Sequence, residues 1–342
     1  MKNIYLYTPW CEQGLSYDAK VIEEICSNNN IRPFITYRTK RKIQWACDFI
    51  PLRKIHTLIN KDDIFFCFER FPNKYLSRIL EKTEHSYLML NYEYYTSDDN
   101  DYHMLFNKIF CKSKIAFKGC KEDGLNNIKY LPWILWNFPI AQPFPLGENI
   151  KVIFNGGTGG FQDRRNFASI IDLLKNYSDD DVEFILKFTS DIRRWTKKII
   201  NKNLDFIKCD KRTQLICSDL NRSQYQSFLI GNDINLAPSK FEGFGLTLLE
   251  ALHSRIPTIT SDCSPMNEII HHDVNGLCIA TREVGKIRKQ PICEINREKF
   301  IQEFSRLVKD RDKLYKMKKN TNLYIQKNRK NLIDYFTKLF KI

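Results

Sequence analysis

The sequence predicts two successive doubly wound α/β domains followed by a charged helical tail. Apolar and β-branched runs of strand length alternate with helically spaced segments through the first half of the chain. A proline-rich stretch interrupts the pattern, which then restarts. Such alternation implies βαβ units and a parallel sheet. A length of 342 residues agrees with two domains.

In the first half, strands are expected at 4–7, 33–37, 63–68, 87–91, 108–111 and 115–117, with helices at 17–26 and 73–82. Segment 137–149, "NFPIAQPFPLGEN", holds three prolines and a glycine and reads as the linker. In the second half, "KVIFNGG", "EFILKFT", "DINLAPS", "IPTITSD" and "GLCIA" read as strands. Helices are expected at 167–177, 193–201, 245–253 and 266–271, and from 294 onward. The domains are drawn as 1–145, 150–315 and a helical tail 316–342. Open α/β sheets bind ligands beyond the carboxyl ends of their strands. The loops "YLYTPWCEQGLS" and "IFNGGTGGFQDRRN" lie at such ends.

Composition narrows the function classes. Hydrophobic residues make up 43% and aromatic residues 13%, enough for two cores. No window holds 18 consecutive apolar residues, so no membrane span is expected. The first residues lack the features of a signal peptide. The 11 cysteines are scattered, with neither a C-x-x-C pair nor zinc spacing to histidine. They read as reduced core residues of a cytoplasmic protein. Net charge is +14, and residues 286–342 alone carry 17 basic and 6 acidic side chains. Such a tail suits an anionic membrane surface or a polyanion. A solvated helical tail is the plainer reading, and no nucleic-acid partner is expected.

The stretch "FEGFGLTLLEALHSRIP" raises a specific question. Glu250 sits among Leu246, Leu248, Leu249, Ala251 and Leu252 on a helix that is apolar nearly all round. Such a helix is buried. A buried carboxylate costs several kcal/mol or more unless it is paired or hydrogen-bonded. Arg255 lies five residues on, off the helical spacing for a partner. A vicinal diol such as a ribose would serve, since a carboxylate accepts two hydrogen bonds. An internal salt bridge is the alternative. Upstream, Glu242 precedes the Gly243-Phe244-Gly245 turn, which feeds a helix N-terminus suited to phosphate or a polar sugar.

Residues 237–279, "APSKFEGFGLTLLEALHSRIPTITSDCSPMNEIIHHDVNGLCI", resemble the E-x7-E region of the GT-B-fold retaining glycosyltransferases of family 4. The resemblance implies two Rossmann-like domains facing a cleft, with a C-terminal helix crossing back to the first. It implies a metal-independent hexosyltransferase using a UDP- or GDP-sugar as substrate and no cofactor. The acceptor hydroxyl would belong to a glycan, lipid or protein. Glu242 would face the transferred sugar and Glu250 the ribose. The amides of Phe244, Gly245 and Leu246 would meet sugar and β-phosphate, with Gly243 and Gly157 in the donor loops. Glu268 would brace locally.

In "FNGGTGGFQDRRNF", Arg165 stands where the family carries its diphosphate-binding lysine, and Gly159 stands where it carries an arginine. Arg164 or Lys187 would supply the missing cation. Gly14 is the counterpart of a glycine-rich acceptor-side loop. Glu69, Tyr92 and Glu93 replace the family's mid-domain histidine. His271, His272 and Asp273 lack a third partner at metal-ligand spacing, so no metal is expected. The rival readings are a GT-B epimerase or phosphorylase, a nucleic-acid or membrane-surface binding protein using the basic tail, and a catalytically degenerate GT-B protein.

Overall fold

The computed structural model describes residues 2–11, 14–72, 74–135 and 141–340. The chain divides into two units, Met1–Asn137 with Lys327–Ile342, and Phe138–Gln326.

The first unit holds six strands: β1 (Ile4–Tyr7), β2 (Pro33–Thr36), β3 (Ile64–Phe68), β4 (His85–Leu90), β5 (Lys108–Cys111) and β6 (Ile128–Tyr130). Helices α1 (Gly14–Asn28), α2 (Leu52–Leu58), α3 (Leu76–Leu80), α4 (Asn100–His103) and α5 (Lys114–Glu122) connect them. All neighbouring strands are parallel, in the order β2-β1-β3-β4-β5-β6. Strands β1 and β3 are buried along their whole length, as their unbroken apolar runs require of a parallel sheet covered on both faces. Phe336, from the terminal stretch, is fully buried and packs its ring on Phe66, Phe110 and Trp133.

The second unit repeats the plan. Its sheet comprises β7 (Ile150–Gly157), β8 (Val182–Phe188), β9 (Thr213–Cys217), β10 (Ile234–Ala237), β11 (Thr258–Ser261) and β12 (Gly276–Ile279). The order is β12-β11-β10-β7-β8-β9, again parallel. Around it lie α6 (Phe167–Asn176), α7 (Arg194–Lys202), α8 (Leu204–Cys209), α9 (Arg222–Leu229), α10 (Leu246–His253), α11 (Met266–Ile269) and α12 (Arg297–Lys309). An antiparallel hairpin, β13 (Thr281–Ile287) with β14 (Gln290–Ile295), precedes α12. Helix α13 (Arg311–Phe340) ends the described chain. No helix among the described residues is long and apolar enough to cross a membrane.

One strand expectation fails. Segment 115–117 is not a strand but lies inside α5. A three-residue apolar run does not discriminate strand from helix. Ser113 does, because its side chain accepts from the Ala116 amide as a helix N-cap. The stretch from 294 onward is mostly helical as expected, in α12 and α13, after a hairpin at 281–295 that was not expected. Part of the expected linker and residue 73 of the expected 73–82 helix lie outside the described residues.

Lys318, on α13, ties that helix to the sheet of the second unit. Its Nζ donates to Asp233 Oδ1 at 2.5 Å, and Asp233 Oδ2 accepts from the Lys151 amide at 2.9 Å. Both side chains are buried. Removing one partner strands the other charge, whereas neutralising both can be nearly neutral. Lys318→Met should therefore lose about 3–5 kcal/mol of unfolding free energy. Adding Asp233→Asn should recover most of it. Guanidinium unfolding curves measure both effects.

Candidate active site

Each sheet has one point where its strand order reverses. In the second unit it falls between β7 and β10. A ligand crevice is expected there, outside the carboxyl ends of the strands. The segments leaving those two ends are 157–166 and 238–245.

Segment 157–166 has an unusual backbone. Gly157, Gly159, Gly160, Gln162, Asp163 and Asn166 all have positive φ. At Gly159 the need for glycine is also spatial, since a Cβ would lie 2.0 Å from the Thr196 hydroxyl oxygen. Non-glycine residues in this region carry strain that the surroundings must hold. Asp163 supplies part of that hold by accepting from the Phe167 amide at 2.8 Å and the Ala168 amide at 3.2 Å. Asp163 thus caps the start of α6 and offsets the cost of the two preceding arginines at its positive pole.

Both arginines reach Glu242. Arg164 Nη2 lies 2.6 Å from Glu242 Oε2, and Arg165 Nη1 donates to Oε1. The Ser239 hydroxyl adds a third donor at 2.8 Å. Glu242 is only 3% exposed. Burial pushes its carboxyl upward, but Arg165 and Arg164 outweigh that and hold it below the usual range. Arg164 is further engaged, with Nε on the Phe241 carbonyl at 3.1 Å and its guanidinium over the Phe241 ring. Arg165 uses Nη1 for Glu242 and, at 3.4 Å, for the Thr247 hydroxyl. Its remaining N–H groups make no hydrogen bond among the described residues.

The turn after Glu242 places Gly245 at φ +101° as the N-cap of α10. No side chain caps that helix. The Leu248 amide turns back to the Gly245 carbonyl at 3.0 Å, and the amides of the turn before it carry the positive pole of the helix.

Glu250 departs from the sequence-based expectation of a buried carboxylate. Leu249, Ala251 and Leu252 beside it are buried, but Glu250 itself is only partly so. Its Oε2 accepts from the Tyr225 hydroxyl at 2.8 Å. That hydroxyl in turn accepts from Asn155 Nδ2 at 2.6 Å, and Asn155 Oδ1 accepts from the Gly157 amide at 3.3 Å. A chain of contacts thus joins the end of β7 to α10 through α9. Crowding by protein raises the Glu250 carboxyl to about 7, against the lowering effects of Tyr225, Arg165 and Arg222. Tyr225 and Asn155 were not singled out from the sequence. Asn155 had a signal, as a polar residue ending an apolar strand. Tyr225, on a helix of no clear periodicity, had none.

The other expected residues fall elsewhere. Lys187 is buried, and its ammonium donates to the carbonyls of Phe188, at 2.6 Å, and Ser218. None of its hydrogen bonds or ion pairs is to the glutamate–arginine cluster. In the first unit the strand order reverses between β1 and β3. Gly14 opens α1, and Glu93 lies in a 3-10 turn after β4. Glu69 follows β3 with φ +58°. Lys112 lies 2.7 Å from Asp18 and 3.9 Å from Glu69, and Trp133 Nε1 donates to Asp18 at 2.7 Å. Burial raises the Glu69 carboxyl, and Lys112 opposes this. Among the described residues, no group of three or more His, Cys, Asp or Glu could hold a metal ion.

Comparison with known proteins places the fold. The family model for "Glycosyl transferases group 1" matches residues 211–324. The lipopolysaccharide 1,6-galactosyltransferase of Escherichia coli K12 is 24% identical over 290 residues, 78% of this chain and 70% of that protein. Across the curated relatives, the aligned stretches span from 35% to 70% of the relatives' own lengths. A glycosyltransferase structure from Rickettsia africae superposes with TM-score 0.75 at 14% identity, covering 99% of both chains. The pneumococcal O-GlcNAc transferase GtfA, solved with UDP and GlcNAc, gives 0.72 at 11% identity over 99% of this chain and 98% of that one. The two parallel six-stranded sheets with their helices are those of the GT-B glycosyltransferase fold, and the group 1 family model matches a stretch within the second unit.

Proposed function

We propose that the protein is a metal-independent glycosyltransferase that moves a hexose from a UDP- or GDP-sugar to an acceptor hydroxyl with retention. The observation that carries this is the Glu242 carboxylate, held between two guanidiniums beside an uncapped helix start at a sheet switch point. Arg165 has N–H groups to spare, and arginine matches a diphosphate with parallel donors. The amides of Phe244, Gly245 and Leu246 add partial positive charge for the β-phosphate. These groups stabilise the charge that builds as the bond from the anomeric carbon to phosphate oxygen breaks. The acceptor oxygen bonds to that carbon from the same face, and its proton passes to the departing phosphate oxygen. Glu242 faces the sugar, and Arg164 fixes it rather than binding phosphate.

Glu250 accepts the ribose hydroxyls, and its partial exposure leaves it reachable. Unit 1 provides the acceptor side, with Gly14, Glu93 and Glu69 at or near the carboxyl ends of its strands. A glycan, lipid or protein hydroxyl fits that role. The relatives' sugar-transferring names support the reaction class, and the GtfA complex supports a uridine nucleotide. The exposed lysines of α13 favour a cytoplasmic enzyme that touches anionic membrane at its periphery.

Turnover is measured as nucleoside diphosphate released with and without acceptor. Glu242→Ala should cut it by about 100-fold or more, the scale of losing a preorganised charged group. Donor affinity should fall far less. Full activity in that variant contradicts the role assigned to Glu242.

The Glu250 carboxyl, near 7, makes a second test. Below that pH it is protonated and loses one acceptor site for the diol. Calorimetric affinity for a UDP- or GDP-sugar should therefore rise as pH increases through 7, and Glu250→Gln should flatten the profile at the weak level. Stability runs the opposite way. A carboxyl raised on folding favours the protonated fold, so its contribution is lost as pH rises from the unfolded value through about 7. Glu250→Gln should thus raise Tm at pH 8 while weakening donor binding. Unchanged donor affinity in this variant removes the ribose assignment.

A further inference from the structure

The β13–β14 hairpin turns one face to solvent and the other to the Glu242 loop. Residues 282–286 are exposed, but Gln290, which opens β14, is only 1% exposed. Its Nε2 donates to the backbone carbonyl of Glu242. Three residues on, the Cys293 amide donates to the Lys240 carbonyl at 2.8 Å. Glu294 pairs with Lys240 Nζ at 3.4 Å. The hairpin therefore grips the backbone of 240–242 at two points and one side chain at a third.

The other end of the Gln290 amide explains why this residue is informative. Oε1 is buried with no hydrogen-bond partner among the described residues. A buried orphan acceptor costs about 1–3 kcal/mol. Leucine or methionine would fill a similar volume without that cost. The amide makes sense for what its donor end does. Arg164, Arg165 and Ser239 hold the Glu242 carboxylate, and Arg164 Nε also holds the Phe241 carbonyl before it. The peptide carbonyl that leads on to Gly243 is the one Gln290 holds. That peptide leads directly into Gly243 and Gly245, and glycine leaves a backbone conformationally loose.

We propose that Gln290, delivered by the hairpin, is a positioning residue for Glu242. It anchors the Glu242 peptide so that the carboxylate keeps one place relative to the transferred sugar. This rests on the sugar-facing role given to Glu242 above.

The test replaces the amide at constant volume. Gln290→Leu removes the orphan oxygen but leaves the Glu242 carbonyl without this donor, so the two costs offset and Tm should stay close to the wild-type value. Its kcat should fall by about 10–100-fold, as expected for a slightly misplaced group, with donor KM within about threefold. Hydrogen exchange at the amides of 240–246 should speed up while the rest of the second unit is unchanged. Wild-type kcat together with wild-type exchange in this segment overturns the proposal. So does a fall in Tm with faster exchange throughout the unit, which marks a packing role only. The exchange measurement needs no turnover. If the wild-type protein transfers no sugar, the transferase reading fails, while exchange at 240–246 still decides whether Gln290 anchors the loop.

Discussion

The second unit is organised around one buried carboxylate. Glu242 is almost wholly removed from water and would be costly as an ion if unpaired. Two guanidiniums and a serine hydroxyl keep it charged. Much of the surrounding structure serves that requirement. Segment 157–166 takes up left-handed conformations that present Arg164 and Arg165, and Asp163 caps the helix they precede. Phe241 gives Arg164 a surface to stack on. The hairpin holds the loop from behind. Two cations against one carboxylate leave an excess positive charge where an anionic group can enter.

Topology puts these pieces together. Glu242 and the arginines come from segments 77 and 78 residues apart in sequence. They meet because β7 and β10 are neighbours, with the rest of the sheet spreading away on either side. The first unit follows the same rule. Its switch point lies beside β3, and the Asp18–Lys112–Glu69 group gathers near the carboxyl ends of β3 and β5. There a lysine sits between two carboxylates, the inverse of the arrangement around Glu242.

Much of this was legible in the sequence. The apolar strands were found because parallel strands buried on both faces are nearly unbroken apolar runs. Glu242, Gly245 and Glu250 stood out because polar groups or a glycine interrupted an apolar background, and Arg165 through the family resemblance of its loop. Other features escaped or were misread. The first strand of the hairpin is mostly exposed and polar, so no hydrophobic period marks it. Tyr225 matters through one hydroxyl contact to a residue 25 positions away, which spacing does not encode. Lys187 drew attention as a cation near the site, but its charge is turned to two backbone carbonyls. Glu250 was read as buried from its neighbours alone. A helix apolar on average can still leave several positions partly exposed, here Leu246, Thr247 and Glu250.

The central claim is that the switch point of the second unit is a nucleotide-sugar site built on Arg165, Glu242 and Glu250. Isothermal titration of the full chain with UDP-, GDP- and ADP-sugars tests it most directly. The account predicts saturable heat with a UDP- or GDP-sugar, at one site per chain. Absence of heat with every one of these nucleotide sugars would contradict it.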